Sequence, residues 1–289
     1  MPIEKAKISV FDHGFIYGDS VFETFRTYWG HPFQLNDHLK RLQRSAAGLE
    51  LPLPHSQNKL RSIVLDSANA YWKRFGKKDE LYIRVIVSRG YGDIGFDPAL
   101  CPHSSLIIII KKFTPMSQTT YHQGIPVAIV STIRNSPRSL DPNIKSGNYL
   151  NNVLAYLEAK KRGAFEAIMT NHQGYITEGT VTNIFLVKDN ALYTPSLDCG
   201  LLRGLTRSLV LKIARKEKIE VYETRINKST LMHCDECFIS SSLKAILPVQ
   251  SCDAQKIGNG KPGPITRKLM ALFKEETQKV IQEEYCIDL

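Results

Sequence analysis

The sequence lacks the long apolar run that a membrane-spanning helix needs. A helix that crosses a bilayer takes ~20 apolar residues, whereas the longest aliphatic run here is the short segment 106–110, which suits a buried strand. The first residues contain no signal-peptide hydrophobic region. Six cysteines among 289 residues fit a reduced protein better than a disulfide scaffold. We therefore expect a cytoplasmic protein with no membrane partner.

Two common catalytic motifs are also missing. The chain has no G-x-x-x-x-G-K-[ST] phosphate loop and no H-E-x-x-H zinc motif, which argues against an NTPase and a zinc hydrolase. Cys234 and Cys237 have the spacing of a redox or zinc pair, but no second Cys or His pair lies at finger spacing. Ordinary cysteines at a helix-to-strand junction explain them better, so we expect no metal.

What is present in excess is positive charge. The chain carries 38 Lys and Arg against 28 Asp and Glu, a formal net charge of +10. Such an excess suits nucleic acid, an anionic small molecule or simple solubility. The basic residues are dispersed and no nucleic-acid recognition motif is found, so we expect no nucleic-acid partner. A nucleic-acid binder would instead show a steeply salt-dependent affinity.

Apolar spacing divides the chain into a small α+β domain (1–112), an interdomain linker (113–124) and a larger domain (125–289). The strands predicted in the small domain are 8–11, 21–28, 81–88 and 106–112. Its helices are a first one capped by Asn36 or Asp37 and a second one over 59–75. The larger domain is predicted to contain a strand at 125–132, a helix capped by Ser146 that runs to about 162, short hairpin strands, a helix capped by Thr206 and a final helix over 264–284.

Three local features suggest chemistry. Lys145 immediately precedes the helix predicted to begin at Ser146, and the positive end of that helix would favour a neutral, nucleophilic amine. Glu178 follows a hairpin strand and could keep a ring nitrogen protonated. The helix start within 202–207 and the serines at 240–242 offer amides and hydroxyls to a phosphate. Each feature alone is more often an ordinary surface lysine, turn or cap, but together they suggest pyridoxal phosphate.

At family level the chain resembles the class IV (fold type IV) pyridoxal-phosphate aminotransferases, which include branched-chain and D-amino-acid aminotransferases and the related 4-amino-4-deoxychorismate lyases. Several ordered motifs with matching gaps carry the resemblance, and together they cover nearly the whole chain. The segments are 11–26 (FDHGFIYGDSVFETFR), 38–42 (HLKRL), 144–152 (IKSGNYLNN), 166–169 (EAIM), 174–185 with Glu178-Gly-Thr inside it, 193–195 (YTP) and 204–207 (GLTR).

The resemblance implies a role for each matching residue. Lys145 matches the catalytic lysine, which binds the cofactor as a Schiff base and shuttles a proton between the substrate and the cofactor. Glu178 matches the carboxylate on the pyridine nitrogen, and Tyr149 matches the tyrosine that hydrogen-bonds the cofactor's phenolic oxygen. Arg41 matches the phosphate-binding arginine. The remaining cofactor residues that it implies are Leu202 on the ring face, the backbone of Leu205 and Thr206 at the helix start, and Ser242.

The resemblance also implies a two-domain fold, with a small α+β domain and a larger pseudo-barrel domain that hold cofactor and substrate between them. It further implies a homodimer or a higher homo-oligomer. The substrate residues that it suggests are Tyr17, Phe22, Arg26, Tyr82, Arg84 and Leu243. Aromatic side chains there would accept an aliphatic group, and an arginine would accept the distal carboxylate of glutamate or 2-oxoglutarate.

Within this family the aminotransferase is favoured, with a branched-chain L-amino acid and 2-oxoglutarate as the substrates of a ping-pong cycle. The alternative is a 4-amino-4-deoxychorismate lyase, because Thr24 replaces the glycine common after the Phe-Glu pair and a threonine there is a lyase feature. Val181-Thr182 also departs from the Gly-Glu often seen after Glu-Gly-Thr. A D-amino-acid or amine transaminase is a further alternative.

Overall fold

The computed structural model describes residues 3–76 and 79–288. Its contacts group into two compact units. Unit 1 comprises Met1–Phe113 and Ile144–Tyr149, and unit 2 comprises Thr114–Asn143 and Leu150–Leu289. The chain therefore leaves unit 1 after Phe113, returns for the short segment that contains Lys145, and then leaves again.

Unit 1 is a four-stranded antiparallel sheet with helices on one face. Its elements in chain order are α1 (His13–Ile16), β1 (Ser20–Tyr28), β2 (His31–Pro32), α2 (Leu35–Gly48), α3 (Gln57–Phe75), β3 (Leu81–Ser88) and β4 (Ser105–Lys112). The strand order in the sheet is β2-β1-β3-β4. Alternation along β1 and β3 buries one face against α2 and α3. The opposite face is half-buried and carries polar and aromatic side chains.

The loop between β3 and β4 contains the glycine spacing Gly90-x-Gly92-x-x-Gly95. That spacing forms a dinucleotide-binding loop only between a strand and a helix of a parallel βαβ unit. Here the loop leads through a single 3-10 turn, Pro98–Leu100, into β4, which runs antiparallel to β3. The glycines therefore shape a hairpin loop and not a dinucleotide site.

Unit 2 is built on a sheet that has nine strands among the described residues. Its elements are α4 (Gln118–Gln123), β5 (Ile125–Ile129), α5 (Leu150–Lys161), β6 (Glu166–Thr170), β7 (Ile176–Gly179), β8 (Asn183–Lys188), β9 (Ala191–Pro195), α6 (Leu205–Lys216), β10 (Val221–Thr224), α7 (Lys228–Met232), β11 (Glu236–Ser241), β12 (Ala245–Cys252), β13 (Gln255–Lys256) and α8 (Pro264–Tyr285). The strand order is β10-β9-β8-β11-β12-β5-β6-β7, and β13 pairs with β12 beside this path. At the end of this path β7 also contacts β8 and β9, so the sheet curls towards a barrel.

Helices cover the outside of this curled sheet. Helix α5 packs on β5 and β6 through small residues such as Ala155 and Ala159. Helices α6 and α8 pack on each other and on β11, and the stacked rings of Phe185 and Phe238 lie in neighbouring strands with centroids 4.8 Å apart. Isoleucine, leucine, valine and three cysteines fill the inner face. The mixed α+β fold with a small unit and a pseudo-barrel unit agrees with the predicted fold class.

Several local predictions are wrong. Segment 8–11 is not a strand, and Asn36 and Asp37 do not cap α2, which begins at Leu35 after Gln34 in a left-handed conformation (φ 53°). Ser146 does not cap a helix, because α5 begins only at Leu150. Lys145 therefore does not stand directly before a helix N-terminus. The cap of α6 is Gly204, two residues before Thr206.

The segment expected as a linker, 113–124, contains α4, which packs on β12 within unit 2. Tyr121 of α4 donates a hydrogen bond from its hydroxyl to the Lys244 carbonyl, at 3.0 Å. The contacts also place Ile144–Tyr149 with unit 1, although the predicted domain division put these residues in the larger domain. Among the described residues, no helix is both long and apolar enough to cross a membrane.

Candidate active site

Backbone hydrogen bonds hold the Lys145 segment against β1 and α2 of unit 1. The Phe22 N–H donates to the Lys145 carbonyl at 3.0 Å, and the Lys145 N–H donates to Ser45 Oγ at 3.1 Å. Gly147 N–H donates to the Ser20 carbonyl at 2.7 Å. A Cβ on Gly147 would come within 2.2 Å of Ser20 Oγ, so this close approach requires glycine. The segment is therefore fixed by tertiary contacts and not by a helix of its own.

The Lys145 side chain is half-buried among aromatic groups. Its Nζ donates to the Tyr149 hydroxyl at 3.0 Å and lies 4.5 Å from the centroid of the Phe22 ring. Among residues 3–76 and 79–288, no carboxylate forms an ion pair with it. The structure thus brings together the predicted catalytic lysine and the predicted partner of the cofactor's phenolic oxygen.

The predicted substrate residues of β1 and β3 share the open face of the unit 1 sheet. Arg84 stacks over the Phe22 ring at 3.8 Å and is directly opposite Thr24 in the ladder. It forms no ion pair in the part of the chain that the structure describes. The Thr24 Oγ1 is buried without a hydrogen-bond partner among the described residues. This face therefore presents an unneutralised guanidinium and an unsatisfied hydroxyl beside the ring that Lys145 contacts.

The other predicted substrate residues of unit 1 lie further along the sheet or in its loop. Arg26 is opposite Tyr82 in the ladder, and its guanidinium lies 4.2 Å from the Tyr28 ring and 4.0 Å from the Phe113 ring. The Tyr17 hydroxyl accepts a hydrogen bond from the Gly95 N–H at 3.2 Å. Tyr17 is thereby tied to the β3–β4 loop, and Arg26 is held by aromatic stacking.

Arg41 belongs to a buried charged cluster that joins α2 to β1. Its Nε and Nη2 each donate to one oxygen of Glu23, both at 2.7 Å, and His38 Nδ1 lies 2.6 Å from Glu23 Oε2. Burial acts to raise the pKa of Glu23, but Arg41 and His38 outweigh it and lower that pKa to about 2. The ionised carboxylate therefore stabilises the fold above about pH 4.5, and this stabilisation is lost as the pH falls towards 2.

In unit 2, hydrogen bonds from Arg134 and Leu202 hold Glu178 at the end of β7. Arg134 Nε donates to Glu178 Oε1 at 2.9 Å, and the Leu202 N–H donates to Oε2 at 3.0 Å. Arg134 Nη1 in turn donates to Asn151 Oδ1 at 3.3 Å. The side chains of Arg134 and Glu178 are only 9% and 7% exposed. The structure thus brings two predicted site residues, Glu178 and Leu202, together, and the carboxylate has a fixed orientation.

The start of α6 has the features of a phosphate-binding helix N-terminus. Gly204 is the N-cap and, having no side chain, it forms no side-chain cap hydrogen bond to the N–H groups of the first turn. A Cβ at Gly204 would lie 2.0 Å from Asn183 Oδ1, so the approach of these residues requires glycine. Thr206 Oγ1 is buried without a partner among the described residues. Leu205 and Thr206 therefore offer unsatisfied donors, as predicted for a phosphate cup.

The turn between β11 and β12 carries the last two predicted site residues, Ser242 and Leu243, both half-buried. Ser240, at the end of β11, has a buried Oγ with no hydrogen-bond partner in the described chain. Burial lowers the pKa of Lys244 in the same turn, with Glu166 acting in the opposite direction. This turn thus adds hydroxyls and a cation to unit 2.

The cysteine pair singled out in the sequence lies elsewhere. Cys234 and Cys237 are buried in the inner core of unit 2 together with Cys252. Burial raises the pKa of the Cys237 thiol well above its ordinary value, and it raises that of Cys252 to about 12. Within residues 3–76 and 79–288, no group of three or more His, Cys, Asp and Glu side chains is arranged to hold a metal ion.

Three residues around the site, Glu23, His38 and Arg134, were not predicted from the sequence. Glu23 could have been found, because it alternates with Val21 and Phe25 and so lies on the buried face of β1, where a carboxylate needs a partner. His38 stands three residues before Arg41 and thus shares its helix face. Arg134 had no such signal, since it follows a strand in a turn-rich segment.

Unit 1 and unit 2, each taken by itself, carry groups that suit a part of pyridoxal phosphate. A phosphate ester needs several N–H and O–H donors. The N–H groups in the first turn of α6 and the Thr206 hydroxyl can supply them. An aldehyde needs an amine, and Lys145 Nζ lies 3.0 Å from the Tyr149 hydroxyl. A protonated pyridine nitrogen needs a fixed anion, which Glu178 provides.

These features define a class IV aminotransferase, and the comparison with known families agrees. Residues 20–252 match the family described as amino-transferase class IV. This match spans more than half of the chain, so the protein belongs to that family and is an enzyme of the pyridoxal-phosphate-dependent transaminase type.

Individual relatives support the same family. A putative branched-chain-amino-acid aminotransferase of Methanocaldococcus jannaschii is 39% identical over 93% of this chain and 91% of its own. The aminodeoxychorismate lyase of Bacillus subtilis is 31% identical over 98% and 94% of the two chains. Among solved structures, a T.th. branched-chain amino acid aminotransferase with pyridoxamine 5'-phosphate has a TM-score of 0.90, 29% identity and coverage of 98% and 93%.

Proposed function

We propose that the chain transfers an amino group between a branched-chain L-amino acid and 2-oxoglutarate, with pyridoxal phosphate as cofactor. The observation that carries this proposal is the arrangement around Lys145. Its Nζ is 3.0 Å from the Tyr149 hydroxyl and faces Phe22, over which Arg84 stacks. The lysine is thus next to an aromatic surface for an aliphatic side chain and a guanidinium for a carboxylate.

The cofactor residues that we propose follow from the donor sets of each unit. Lys145 binds the cofactor aldehyde, and Tyr149 hydrogen-bonds the phenolic oxygen. Arg41, Ser242 and the N-terminal turn of α6, with Leu205 and Thr206, hold the phosphate. Leu202 packs on the ring face. The relative found in complex with pyridoxamine 5'-phosphate supports this choice of cofactor.

The bound cofactor supplies a protonated pyridine ring that accepts the electron pair left when the substrate Cα loses its proton. Lys145 Nζ moves that proton, and its hydrogen bond with Tyr149 keeps the amine oriented. Glu178, fixed by Arg134 and by the Leu202 N–H, holds the proton on the ring nitrogen. Each of these groups is held by at least one partner within its own unit.

For the substrate, we propose that Tyr17, Phe22, Tyr82 and Leu243 contact the aliphatic side chain. Arg84 and Arg26 would take the distal carboxylate of glutamate or 2-oxoglutarate. Arg84 has the better arrangement for this, because it forms no ion pair within the described residues, whereas Arg26 is packed between two rings. A guanidinium without a carboxylate partner is ready to bind one in two-pronged geometry.

A second candidate function is cleavage of 4-amino-4-deoxychorismate, and Thr24 is the observation that favours it. Its Oγ1 is buried without a partner in the described chain and lies opposite Arg84. A hydroxyl in that place could hydrogen-bond a substrate carboxylate or move a proton. The 31% identity to the Bacillus subtilis lyase supports this alternative as well.

Absorbance spectra of single half-reactions test the two functions. With L-leucine or L-valine alone, a transaminase converts the bound cofactor to its pyridoxamine form, and 2-oxoglutarate restores the original spectrum. A lyase instead releases pyruvate from 4-amino-4-deoxychorismate without an amino acceptor. D-amino acids and amines in the same scan would reveal a different stereochemical preference. No spectral change with any amino donor, together with pyruvate release, would overturn the transaminase proposal.

For Arg84→Ala, we expect a selective loss with the acidic substrate. The KM for 2-oxoglutarate should rise about 10- to 100-fold, because a charge-assisted pair contributes ~1.5–3 kcal/mol, while the KM for leucine should change less than about threefold. Steady-state kinetics with both substrates measure this. Arg74→Ala, which removes an exposed arginine in the last turn of α3, is the matched control. Equal losses for leucine and 2-oxoglutarate would exclude the carboxylate role.

We also propose that the enzyme is a homodimer. The outer face of α5 exposes a stripe of apolar side chains at helical spacing. They are Leu150 (65% exposed), Val153, Leu154, Tyr156 and Leu157. A contiguous apolar stripe of this kind is typical of a surface that another chain covers. Sedimentation velocity should show a dimer for the wild type and a shift to monomer for Leu154→Glu, whereas a monomeric wild type would contradict the proposal.

For the location we propose the cytoplasm. All six cysteines are free thiols, and five of them are buried. Such cysteines persist in a reducing compartment. Fractionation of the source cells tests this proposal.

A further inference from the structure

We propose that Glu23 and His38 are positioning residues, which fix the guanidinium of Arg41 for the phosphate group of the cofactor. The inference rests on the proposed function, in which Arg41 binds that phosphate. It concerns two residues that touch neither substrate nor cofactor and act through Arg41.

The geometry fixes the plane of the guanidinium. Arg41 uses Nε and Nη2 to donate to the two oxygens of Glu23, each at 2.7 Å. Two parallel hydrogen bonds between planar groups leave the guanidinium almost no freedom to rotate. Glu23 is itself in the middle of β1, which is hydrogen-bonded to β3. The orientation of Arg41 is therefore set by the sheet and not only by its own helix.

His38 orients the carboxylate in turn. It lies one helical turn before Arg41 on α2, and its Nδ1 is 2.6 Å from Glu23 Oε2. Burial lowers the pKa of His38; Glu23 opposes this, and the positive charges of Arg41 and Lys145 add to it. An ionised carboxylate can only accept hydrogen bonds, so the ring N–H at Nδ1 of His38 donates to Glu23. Its ring packs on Phe25 with centroids 4.7 Å apart, which holds the donor in place.

A purely structural role accounts poorly for this arrangement. Glu23 and His38 are fully buried and Arg41 is 5% exposed. A buried ion pair gains little over well-packed apolar residues of similar volume, since desolvation offsets the Coulomb attraction. An apolar contact between α2 and β1 would serve the fold equally well. The charged groups are better explained by a need to present a cation in one defined orientation.

The same two elements also hold Lys145. Phe22, the neighbour of Glu23, bonds the Lys145 carbonyl, and Ser45, one turn after Arg41, accepts from the Lys145 N–H. A shift of α2 against β1 would thus move the phosphate-binding guanidinium and the catalytic lysine together. The cluster of Glu23, His38 and Arg41 locks these elements at that point.

Cofactor affinity tests the inference without any measurement of turnover. Apo-enzyme is titrated with pyridoxal phosphate and with pyridoxal, which lacks the phosphate, and the Kd values are read from the visible absorbance. Arg41→Ala should raise the Kd for pyridoxal phosphate and leave that for pyridoxal nearly unchanged. Glu23→Gln should do the same by about 10- to 100-fold, comparable to the loss of metal affinity when a partner that orients a metal ligand is removed. The double variant Glu23→Gln with Arg41→Ala should have the same Kd for pyridoxal phosphate as Arg41→Ala, because Glu23 acts through Arg41.

His38→Phe keeps a ring packed on Phe25 but removes the hydrogen-bond donor to Glu23. It should therefore raise the Kd for pyridoxal phosphate, but by less than Glu23→Gln does. If Glu23→Gln does not fold, His38→Phe provides the test. Asp37→Asn, which removes an exposed carboxylate of the same helix, is the matched control and should bind both compounds like the wild type. Suppose that Arg41→Ala loses the preference for pyridoxal phosphate over pyridoxal, while folded Glu23→Gln and His38→Phe keep it. The positioning role of Glu23 and His38 is then overturned, and the phosphate role of Arg41 stands. If Arg41→Ala itself keeps the preference, the phosphate role of Arg41 is overturned as well.

Discussion

Lys145→Ala should abolish transamination, with a fall in kcat/KM of about 10⁴-fold or more. Loss of a nucleophile that also moves the proton removes two functions of one side chain, and such losses reach ~10⁶-fold in other enzymes with covalent catalysis. The visible absorbance band of the lysine-bound cofactor should disappear at the same time. Steady-state kinetics and an absorbance spectrum of the purified variant with added pyridoxal phosphate measure both effects.

The variant should fold normally, which makes the result interpretable. The bonds that fix residue 145 come from its backbone N–H and carbonyl, to Ser45 Oγ and from the Phe22 N–H, and alanine retains them. Lys216→Ala, at the exposed end of α6, is the matched control and should keep full activity. Wild-type activity in Lys145→Ala, or a cofactor band that persists, would show that another residue is the catalytic lysine.

Much of the fold could be predicted because it follows from local patterns. The run of apolar residues over 81–88 predicted the bounds of β3, and the amphipathic pattern predicted α8 from Pro264. The start of α5 could not be predicted in the same way. Ser146 has the chemistry of an N-cap, but it instead bridges to Val21 of β1, a partner remote in sequence. A long-range backbone bond there overrides the local helix signal.

The candidate site shows the same difference between residues that could be predicted and residues that could not. Tyr149 was predicted only through the resemblance. Lys145 and Glu178 were singled out from local features, but a lysine after a proline turn or a glutamate in a hairpin is usually solvent-exposed, so the resemblance was needed to assign their roles. The residues that orient them were not predicted. Arg134 reaches Glu178 from a position 44 residues earlier in the chain, and nothing in its local sequence indicates that contact. Partners brought together by tertiary folding leave no periodic trace in the sequence.

Glu178→Gln should reduce kcat/KM by about 10²- to 10³-fold, the usual effect of removing one fixed group that stabilises developing charge. The glutamine oxygen still accepts the Leu202 N–H, so the local backbone is retained. It carries no negative charge, however, and no longer keeps the pyridine nitrogen protonated. Glu178→Asp, which keeps the charge on a shorter side chain, should lose less. Steady-state kinetics at pH 7 compare the three proteins, and a wild-type rate in Glu178→Gln would refute the assigned role.

The same substitution should destabilise the protein by about 3 kcal/mol, because it leaves the buried guanidinium of Arg134 without its counter-charge. Urea unfolding monitored by circular dichroism measures this loss. The double variant Arg134→Gln with Glu178→Gln has no uncompensated buried charge, so it should regain most of the stability and none of the activity. Recovery of both would mean that the carboxylate serves only to neutralise Arg134. Recovery of stability alone separates the two functions of Glu178, one in the fold and one at the ring nitrogen.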